Sequence, residues 1–208
     1  MRIIYFWSRQ YSNAEIEVKM RASSNTVVDW LKIVRGVCET HIFDNNAMIG
    51  GPGRTVAIGE SKFFHRKYHR GRYRDGQWVF DAIDVDDASQ CVLVPVERRD
   101  AATLEGIIQN RIRVGTRIWS DEWKAYTNIE RLGYTLYTVN HSENFVCPHS
   151  GVHTNNIEGM WAKAKRKFRH MSGTSEDNFG GYLEEFVWLK RYKNMRFQRI
   201  FTHIVEQY

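Results

Sequence analysis

The segment IGGPGR, residues 49–54, divides the chain into two parts with different patterns of apolar residues. A Gly-Gly-Pro-Gly run continues neither a helix nor a strand, since proline lacks a backbone donor and glycine favours no regular conformation. Before it, apolar residues recur every three or four positions, which predicts helices. After it, short apolar runs bounded by polar residues predict strands. We therefore predict a small helical region over residues 1–48 and an α/β domain over residues 49–208, joined flexibly at Gly50–Gly53.

The N-terminal part has the outline of a helix-turn-helix. IIYFW predicts a first helix, and SNAEIEVKM predicts a second, with Ser12 or Asn13 as its N-cap. After the turn RASS comes the longest helical pattern, in which Val27, Leu31 and Val34 recur at helical spacing. A helix, a short turn and a longer helix are the elements of a helix-turn-helix. An ordinary helical hairpin has the same pattern, and both interpretations stay open.

The part after the glycines alternates between strands and helices. The predicted order is three strands, a helix, a strand, a helix, a strand and then helices. The strands are TVAIG, QWVFDAIDV, CVLVPVE, TRIWS and TLYTVN, and the helices are DAATLEGIIQNRI, DEWKAYTNIERLG, NNIEGMWAKAKRKFRHM, DNFGGYLEEFVWLKRY and RFQRIFTHIVEQY. Pro95 predicts that the third strand lies at a sheet edge. Asp100 is the expected N-cap of the helix that follows it.

Positive charge is concentrated in two segments. The chain of 208 residues carries a net charge of +6. One cluster comprises Lys62, Arg66, Lys67, Arg70, Arg72 and Arg74, and the other comprises Lys163, Lys165, Arg166, Lys167 and Arg169. A single basic run is often only a solvated surface. Two runs in one chain favour a nucleic-acid partner.

Cysteine usage and hydropathy indicate an intracellular protein. Cys38, Cys91 and Cys147 are far apart and form no C-x-x-C pair, so we expect reduced thiols and no structural zinc. The N-terminus lacks the features of a signal peptide, and no apolar stretch reaches the length of a membrane span. We expect no membrane association, and a nuclear location if the host is eukaryotic.

Two acids, Asp121 and Glu158, stand where phosphoryl chemistry could use them. Asp121 lies at the junction of the fourth strand and its helix, and Glu158 lies in the first turn of the basic helix. Two-metal chemistry needs carboxylates from different elements that converge on Mg²⁺. Each acid also has a structural interpretation: Asp121 would cap a helix, and Asn155 with Glu158 resembles a capping box.

Several longer motifs make the catalytic interpretation more specific. WVFDAID, WSDEWKAY, GYTLYTVNHSENFV and GVHTNNIEGMWAKAKRKF, preceded by IGGPGRTVAIGESKF, together resemble the DDE transposases of the Merlin group and related bacterial insertion sequences, over about residues 49–195. The resemblance implies an RNase H-like fold, a mixed five-stranded sheet in the order 3-2-1-4-5 flanked by helices. It also implies DNA cleavage and strand transfer with Mg²⁺ or Mn²⁺, on the terminal repeats of a mobile element, and it allows a homodimer. Family members often carry a zinc ribbon further upstream, and we expect this chain to be short at that end.

The resemblance also assigns the acids and exposes a gap. In the family, the first strand typically ends in an Asp-Glu pair whose Asp is the first catalytic acid. Gly59 stands at that position here, whereas Asp121 and Glu158 match the second and third acids and are the predicted metal ligands. Glu60 cannot simply replace the missing acid, because adjacent strand residues point to opposite faces. Asp81 stands where the family usually has Gly, and on a neighbouring antiparallel strand it could supply the carboxylate.

Three hypotheses follow from these assignments. The chain is an active transposase in which Asp81 replaces the lost acid, or a DNA-binding family member that is catalytically defective, or a relic without activity. Loss of a carboxylate shared between metals favours the second hypothesis. We therefore predict a DNA-binding protein of the DDE transposase family, with impaired catalysis and weak or absent Mg²⁺ binding.

Overall fold

The computed structural model describes residues 1–44, 48–64, 76–121, 124–139, 155–171 and 174–207. The basic residues predicted between positions 66 and 74 lie outside these ranges. The chain forms two compact units. One unit comprises Met1–Asn45 with Gly181–Tyr208, and the other comprises Asn46–Gly180.

A five-stranded mixed sheet is the centre of the unit Asn46–Gly180. Its strands are β1 (Thr55–Phe63), β2 (Gln77–Asp84), β3 (Cys91–Val96), β4 (Arg117–Asp121) and β5 (Thr135–Val139), in the spatial order β3-β2-β1-β4-β5. β1 with β2 and β2 with β3 are antiparallel, whereas β1 with β4 and β4 with β5 are parallel. This is the predicted order of an RNase H-like fold, and β3 with Pro95 lies at the edge as expected.

Strand β1 is longer than the sequence pattern predicted. The pattern ended the strand at Gly59, but the strand continues to Phe63 because β2 supplies a partner as far as Gln77. Gly59 therefore lies in the middle of β1. Glu60 is part of the strand and not of a loop.

Helices cover both faces of the sheet. Helix α4 (Ala101–Arg111) begins at Asp100, whose side chain accepts a hydrogen bond from Thr103 N as predicted. Its buried residues join those of one sheet face in a continuous core that includes Val56, Ile58, Phe80, Leu104, Ile108 and Ile112. Helix α5 (Asn155–His170) packs on the opposite face. Burial of this apolar surface is the main term that holds both layers to the sheet.

The segment after β4 does not form the helix that the sequence predicted. The described part contains two short 3-10 helices, Lys124–Tyr126 and Ile129–Leu132. Thr127 Oγ1 donates to Lys124 O at 2.8 Å, a local bond of the kind with which threonine competes against helix formation. Gly133, in the left-handed conformation with φ of 90°, ends the segment as expected.

The other unit is helical. It contains α1 (Arg2–Ser8), α2 (Asn13–Met20), α3 (Ser24–Asp44), the C-terminal part of α6 (Glu176–Arg191) and α7 (Arg196–Gln207). Ser12 caps α2 in a capping box with Glu15, and Arg21 in the left-handed conformation begins the turn to α3. The predicted order of a helix, a turn and a longer helix is observed, and it fits both a helix-turn-helix and an ordinary helical hairpin.

The extent of this unit differs from the predicted region 1–48, because it includes the chain from Gly181 onward. The predicted joint Gly50–Gly53 belongs to the other unit, where Gly51 N donates to Thr116 Oγ1 at 2.8 Å. Among the described residues, no helix is long and apolar enough to cross a bilayer.

Candidate active site

Gly59 and Asp81 are direct neighbours across the β1–β2 ladder. The antiparallel register pairs them, so both project from the sheet face that α5 covers. The sequence predicted this neighbourhood from the order of the strands. A carboxylate absent from β1 is therefore matched by one present on β2.

The side chain of Trp161, from α5, lies over Gly59. A Cβ atom added to Gly59 would lie 3.2 Å from Trp161 Cζ2 and 3.7 Å from Ile157 Cγ2. The first distance is tighter than most real Cβ contacts. The indole therefore occupies the space into which a side chain at position 59 would project.

Asp81 is enclosed between the sheet and this indole. Its exposed fraction is 0%, and Oδ2 accepts a hydrogen bond from Trp161 Nε1 at 2.5 Å. Within the described part of the chain, Oδ1 is buried and has no hydrogen-bond partner. Burial raises the pKa of Asp81 well above its usual range, although the Trp161 bond and the charge of Lys165 oppose the shift. Sequence analysis proposed Asp81 as an alternative metal ligand but did not indicate this contact with Trp161.

Asp121 and Glu158 are both exposed carboxylates. Asp121 is the last residue of β4, and Glu158 lies in the first turn of α5. β4 runs parallel to β1 with Trp119 opposite Ala57, the last paired position, so Asp121 lies two residues beyond the end of this pairing. Glu158 follows Ile157, the residue whose side chain faces Gly59.

Glu60 is a titratable group that the sequence analysis set aside. Its strand partner is Phe80, a residue of the core under α4, so it projects away from Asp81 as the alternation of strand residues predicted. Burial, and then the charge of Asp121, raise the pKa of Glu60 to about 7, whereas Arg99 lowers it. The signal that could have found it is the length of β1, since a strand ending at Gly59 would have left Glu60 in solvent.

The donor set fits one cation better than two. Asp121 and Glu158 offer the carboxylate oxygens that Mg²⁺ prefers. Position 59 offers no side-chain oxygen, and Trp161 fills the space above it. Asp81 is fully buried, which leaves no room for the water ligands that Mg²⁺ usually keeps. The residues present therefore do not fit a pair of metal ions held by three acids.

Helix α5 presents its basic residues unequally. Lys163, Arg166 and Arg169 are exposed, and Ile157, Met160, Ala164 and Phe168 on the opposite side are buried. Lys165 is half-buried, with Nζ 5.3 Å from the centre of the Phe63 ring and 5.8 Å from that of Trp161. Lys167 is also half-buried. The exposed cations therefore form one solvent-facing stripe.

A second group of titratable residues lies in the helical unit. Atoms of His41, His203 and Glu206 lie within 4.8 Å of one another. The two imidazole rings stack with centroids 3.4 Å apart and planes at 12°, so their nitrogen lone pairs lie in nearly parallel planes and do not converge. Trp188 Nε1 donates to His203 Nδ1 at 3.0 Å, which puts the proton of neutral His203 on Nε2. This arrangement fits a packed neutral pair and not a metal site.

Comparison with known proteins identifies the family of the sheet-containing part. The profile of the ISXO2-like transposase domain matches residues 46–191. An uncharacterized transposase-like protein of Haemophilus influenzae is 28% identical over 95 residues, which cover 46% of this chain and 76% of that protein. The predicted resemblance to transposases is thus confirmed for the ISXO2-like transposase domain, and the match does not specify the Merlin group.

Distant likenesses to solved structures involve the Mos1 transposase. The Mos1 strand transfer complex covers 94% of this chain and 78% of its own, with 12% identity and a TM-score of 0.40. The catalytic domain of the Mos1 mariner transposase covers 81% of this chain and 90% of its own, with 14% identity and a TM-score of 0.34. A Mos1 mariner paired end complex with Mg covers 93% of this chain and 74% of its own, with 12% identity and a TM-score of 0.32.

Proposed function

This chain belongs to the ISXO2-like transposase family, and we propose that it is a DNA-binding member whose strand-cutting chemistry is defective. The observation that carries the proposal is the pair formed by Gly59 and Trp161. The position that the Merlin-like motifs assign to the first catalytic acid has no side chain, and an indole fills the space above it.

Metal binding at the remaining acids would be weak. Asp121 and Glu158 would hold at most one Mg²⁺ or Mn²⁺, which in this chemistry stabilises charge on the phosphate that is cut. Loss of a carboxylate shared between two metals removes several kcal/mol of transition-state stabilisation, which slows the reaction roughly 10³-fold. This reduction supports a protein that holds DNA without cutting it appreciably.

The DNA contact would come from the exposed stripe of α5. Lys163, Arg166 and Arg169 project to solvent from the helix that carries Glu158. Cations on one helix face attract the phosphate backbone without regard to sequence. Recognition of the terminal repeats of a mobile element would then need a second surface, and the α2–α3 pair has the helix–turn–helix outline for it.

An active enzyme that uses Asp81 is the alternative, and the pairing of Asp81 with Gly59 favours it. The carboxylate is present one strand away from its expected place, and Oδ1 has no partner among the described residues. Trp161 would have to leave before Asp81 could reach a hydrated cation, since Asp81 is 0% exposed. A relic without activity would bind no DNA specifically.

A nicking assay on supercoiled plasmid with Mg²⁺ tests the proposal. We expect no appreciable nicking by the wild type or by Gly59→Asp alone, because the new side chain meets the Trp161 ring. Gly59→Asp combined with Trp161→Ala should bind Mg²⁺ more tightly in calorimetry and recover nicking. Gly59→Ala with Trp161→Ala is the matched control that adds no carboxylate and should do neither.

Three results would contradict the proposal in different ways. Nicking by the wild type that Asp81→Asn abolishes would establish the alternative with Asp81 as a ligand. Nicking by the wild type that survives Asp81→Asn would rule out both accounts of this site. Absence of any DNA binding would favour the relic.

A further inference from the structure

We propose that Asp81 and Trp161 form a latch that fastens α5 to the sheet without a metal ion. The latch consists of the hydrogen bond from Trp161 Nε1 to Asp81 Oδ2 and the contact of the indole with Gly59. Its consequence for DNA rests on the proposed function. The basic stripe of α5 is held in place, and so binds DNA, in the absence of divalent cations.

The location of the bond determines what it fastens. Asp81 belongs to β2, an inner strand with neighbours on both sides, and Trp161 belongs to α5. The indole also contacts β1 at Gly59, so one side chain bridges two strands and the helix. Lys165, one turn further along α5, lies over the Trp161 ring and close to the Phe63 ring of β1. Three successive turns of α5 are thus anchored through Ile157, Trp161 and Lys165.

A buried polar bond makes this anchor specific. Asp81 is 0% exposed, and among the described residues its carboxylate accepts one hydrogen bond, from Trp161 Nε1 to Oδ2 at 2.5 Å. If α5 shifted, the carboxyl would lose this donor and remain buried, which costs more than an ordinary lost contact. One helix position is therefore favoured over others that would bury the same apolar area.

The latch takes over a role that a metal centre would otherwise have. Where acids from a strand and a helix share a cation, the cation ties the helix to the sheet. Here position 59 supplies no side-chain oxygen, and the connection runs through Trp161 and Asp81 instead. The indole N–H needs an acceptor oxygen, which a neutral side chain can also supply. Asparagine at this position keeps that oxygen.

Hydrogen exchange of the α5 amides in the full chain tests the latch directly. The exchange rates are measured without DNA, once in EDTA and once in Mg²⁺. We expect the wild type to show the same α5 protection in both. Asp81→Ala removes the acceptor and leaves the indole, and it should speed α5 exchange roughly fivefold or more, the effect of one lost hydrogen bond. Asp81→Asn should restore protection to within about twofold. Trp161→Phe, which loses only the donor and part of the ring, should resemble Asp81→Ala.

Trp78→Phe is the matched control, because Trp78 lies on the same strand and faces the core under α4. It should leave α5 exchange unchanged. The latch is refuted if neither Asp81→Ala nor Trp161→Phe speeds α5 exchange. It is also refuted if Mg²⁺ slows α5 exchange in the wild type and not in Asp81→Asn, because Asp81 would then be a metal ligand.

DNA binding in EDTA and in Mg²⁺ at matched ionic strength tests the consequence. Equal affinity in both supports it, and a tenfold or greater loss in EDTA overturns it. If the chain binds no DNA in either buffer, the proposed function fails, while the exchange experiment still decides the latch.

Discussion

At the scale of single residues, Gly59 matters because of what surrounds it. A glycine inside a strand offers no side chain to pack, so a neighbour commonly approaches the backbone there. At Gly59 that neighbour is the indole of Trp161, which then reaches Asp81 across the ladder. The absence of a side chain at Gly59 thus determines the environment of Trp161 and Asp81.

His41 gives a prediction about pH at the same scale. Its ring stacks on His203, and Nε2 lies 2.8 Å from the Tyr192 hydroxyl. Burial, and then the charge of His203, lower the pKa of His41 from 6.5 to about 4, and Arg191 adds to the shift. The pKa of His203 is lowered as well, by burial and by the charge of a nearby arginine.

The direction of the effect follows from proton linkage. Unfolded histidine takes up a proton near pH 6.5, which the folded state accepts only near pH 4. Neutral His41 therefore stabilises the folded state fully above pH 6.5, and this stabilisation is lost as the pH falls toward 4. The charge of Glu206 opposes part of the pKa shift. Urea denaturation followed by circular dichroism should show the free energy of unfolding falling over this range. His41→Gln should flatten the profile, and a wild-type profile already flat would contradict the prediction.

Some of these residue contacts could be predicted from the sequence, and others could not. The pairing of Gly59 with Asp81 follows from two consecutive strands that form a hairpin. The caps at Ser12 and Asp100 follow from local chemistry. The contact of Trp161 with Asp81 joins residues 80 positions apart and depends on how α5 rotates on the sheet. No local pattern encodes that rotation.

At the scale of elements, α5 combines a buried apolar side with an exposed cationic stripe. The sequence indicated the basic side through its cluster of lysines and arginines, and the apolar residues of the buried side recur every three or four positions. It did not predict that Lys165 lies across two aromatic rings. Elements without such spacing were harder to predict from the sequence, as the two 3-10 helices after β4 illustrate.

The two basic clusters of the sequence, which include the stripe of α5, predict a steep salt dependence of DNA binding. If about five phosphates are neutralised, the logarithm of the affinity should fall with the logarithm of the salt concentration at a slope of about −4 to −5. Replacing Lys163, Arg166 and Arg169 with Gln should reduce the magnitude of the slope by about 3, as expected for three lost phosphate contacts. Lys193→Gln, outside α5, is the control. An unchanged slope in the triple variant would mean that α5 does not contact DNA.

At the scale of the whole molecule, the helical unit draws on both ends of the chain. Tyr5 of α1 packs edge-to-face against Phe197 of α7, with ring centroids 5.4 Å apart. Trp7 Nε1 donates to Glu185 Oε1 of α6. The sequence predicted the helices but assigned them to two domains, because neighbours along the chain are easier to infer than partners from opposite ends.

A truncation distinguishes the two compact units of the structure from the two domains predicted from the sequence. Ending the protein after Met195 removes α7, whose Ile200 and His203 are buried in the helical unit. We expect faster hydrogen exchange in α1 and α3 and unchanged exchange in the sheet. Exchange in α1 and α3 that stays slow would instead show that residues 1–48 fold independently, as the sequence predicted.

The indole above Gly59 also constrains how this sequence can change by descent. A carboxylate returning to position 59 meets a filled space, and loss of the indole alone leaves a cavity beside an unsatisfied Asp81. Each substitution by itself lowers stability, whereas the two together need not, which is epistasis between neighbours in contact. Mutational drift can therefore reach this arrangement through single substitutions. Returning to a carboxylate at position 59 requires substitutions at positions 59 and 161 together.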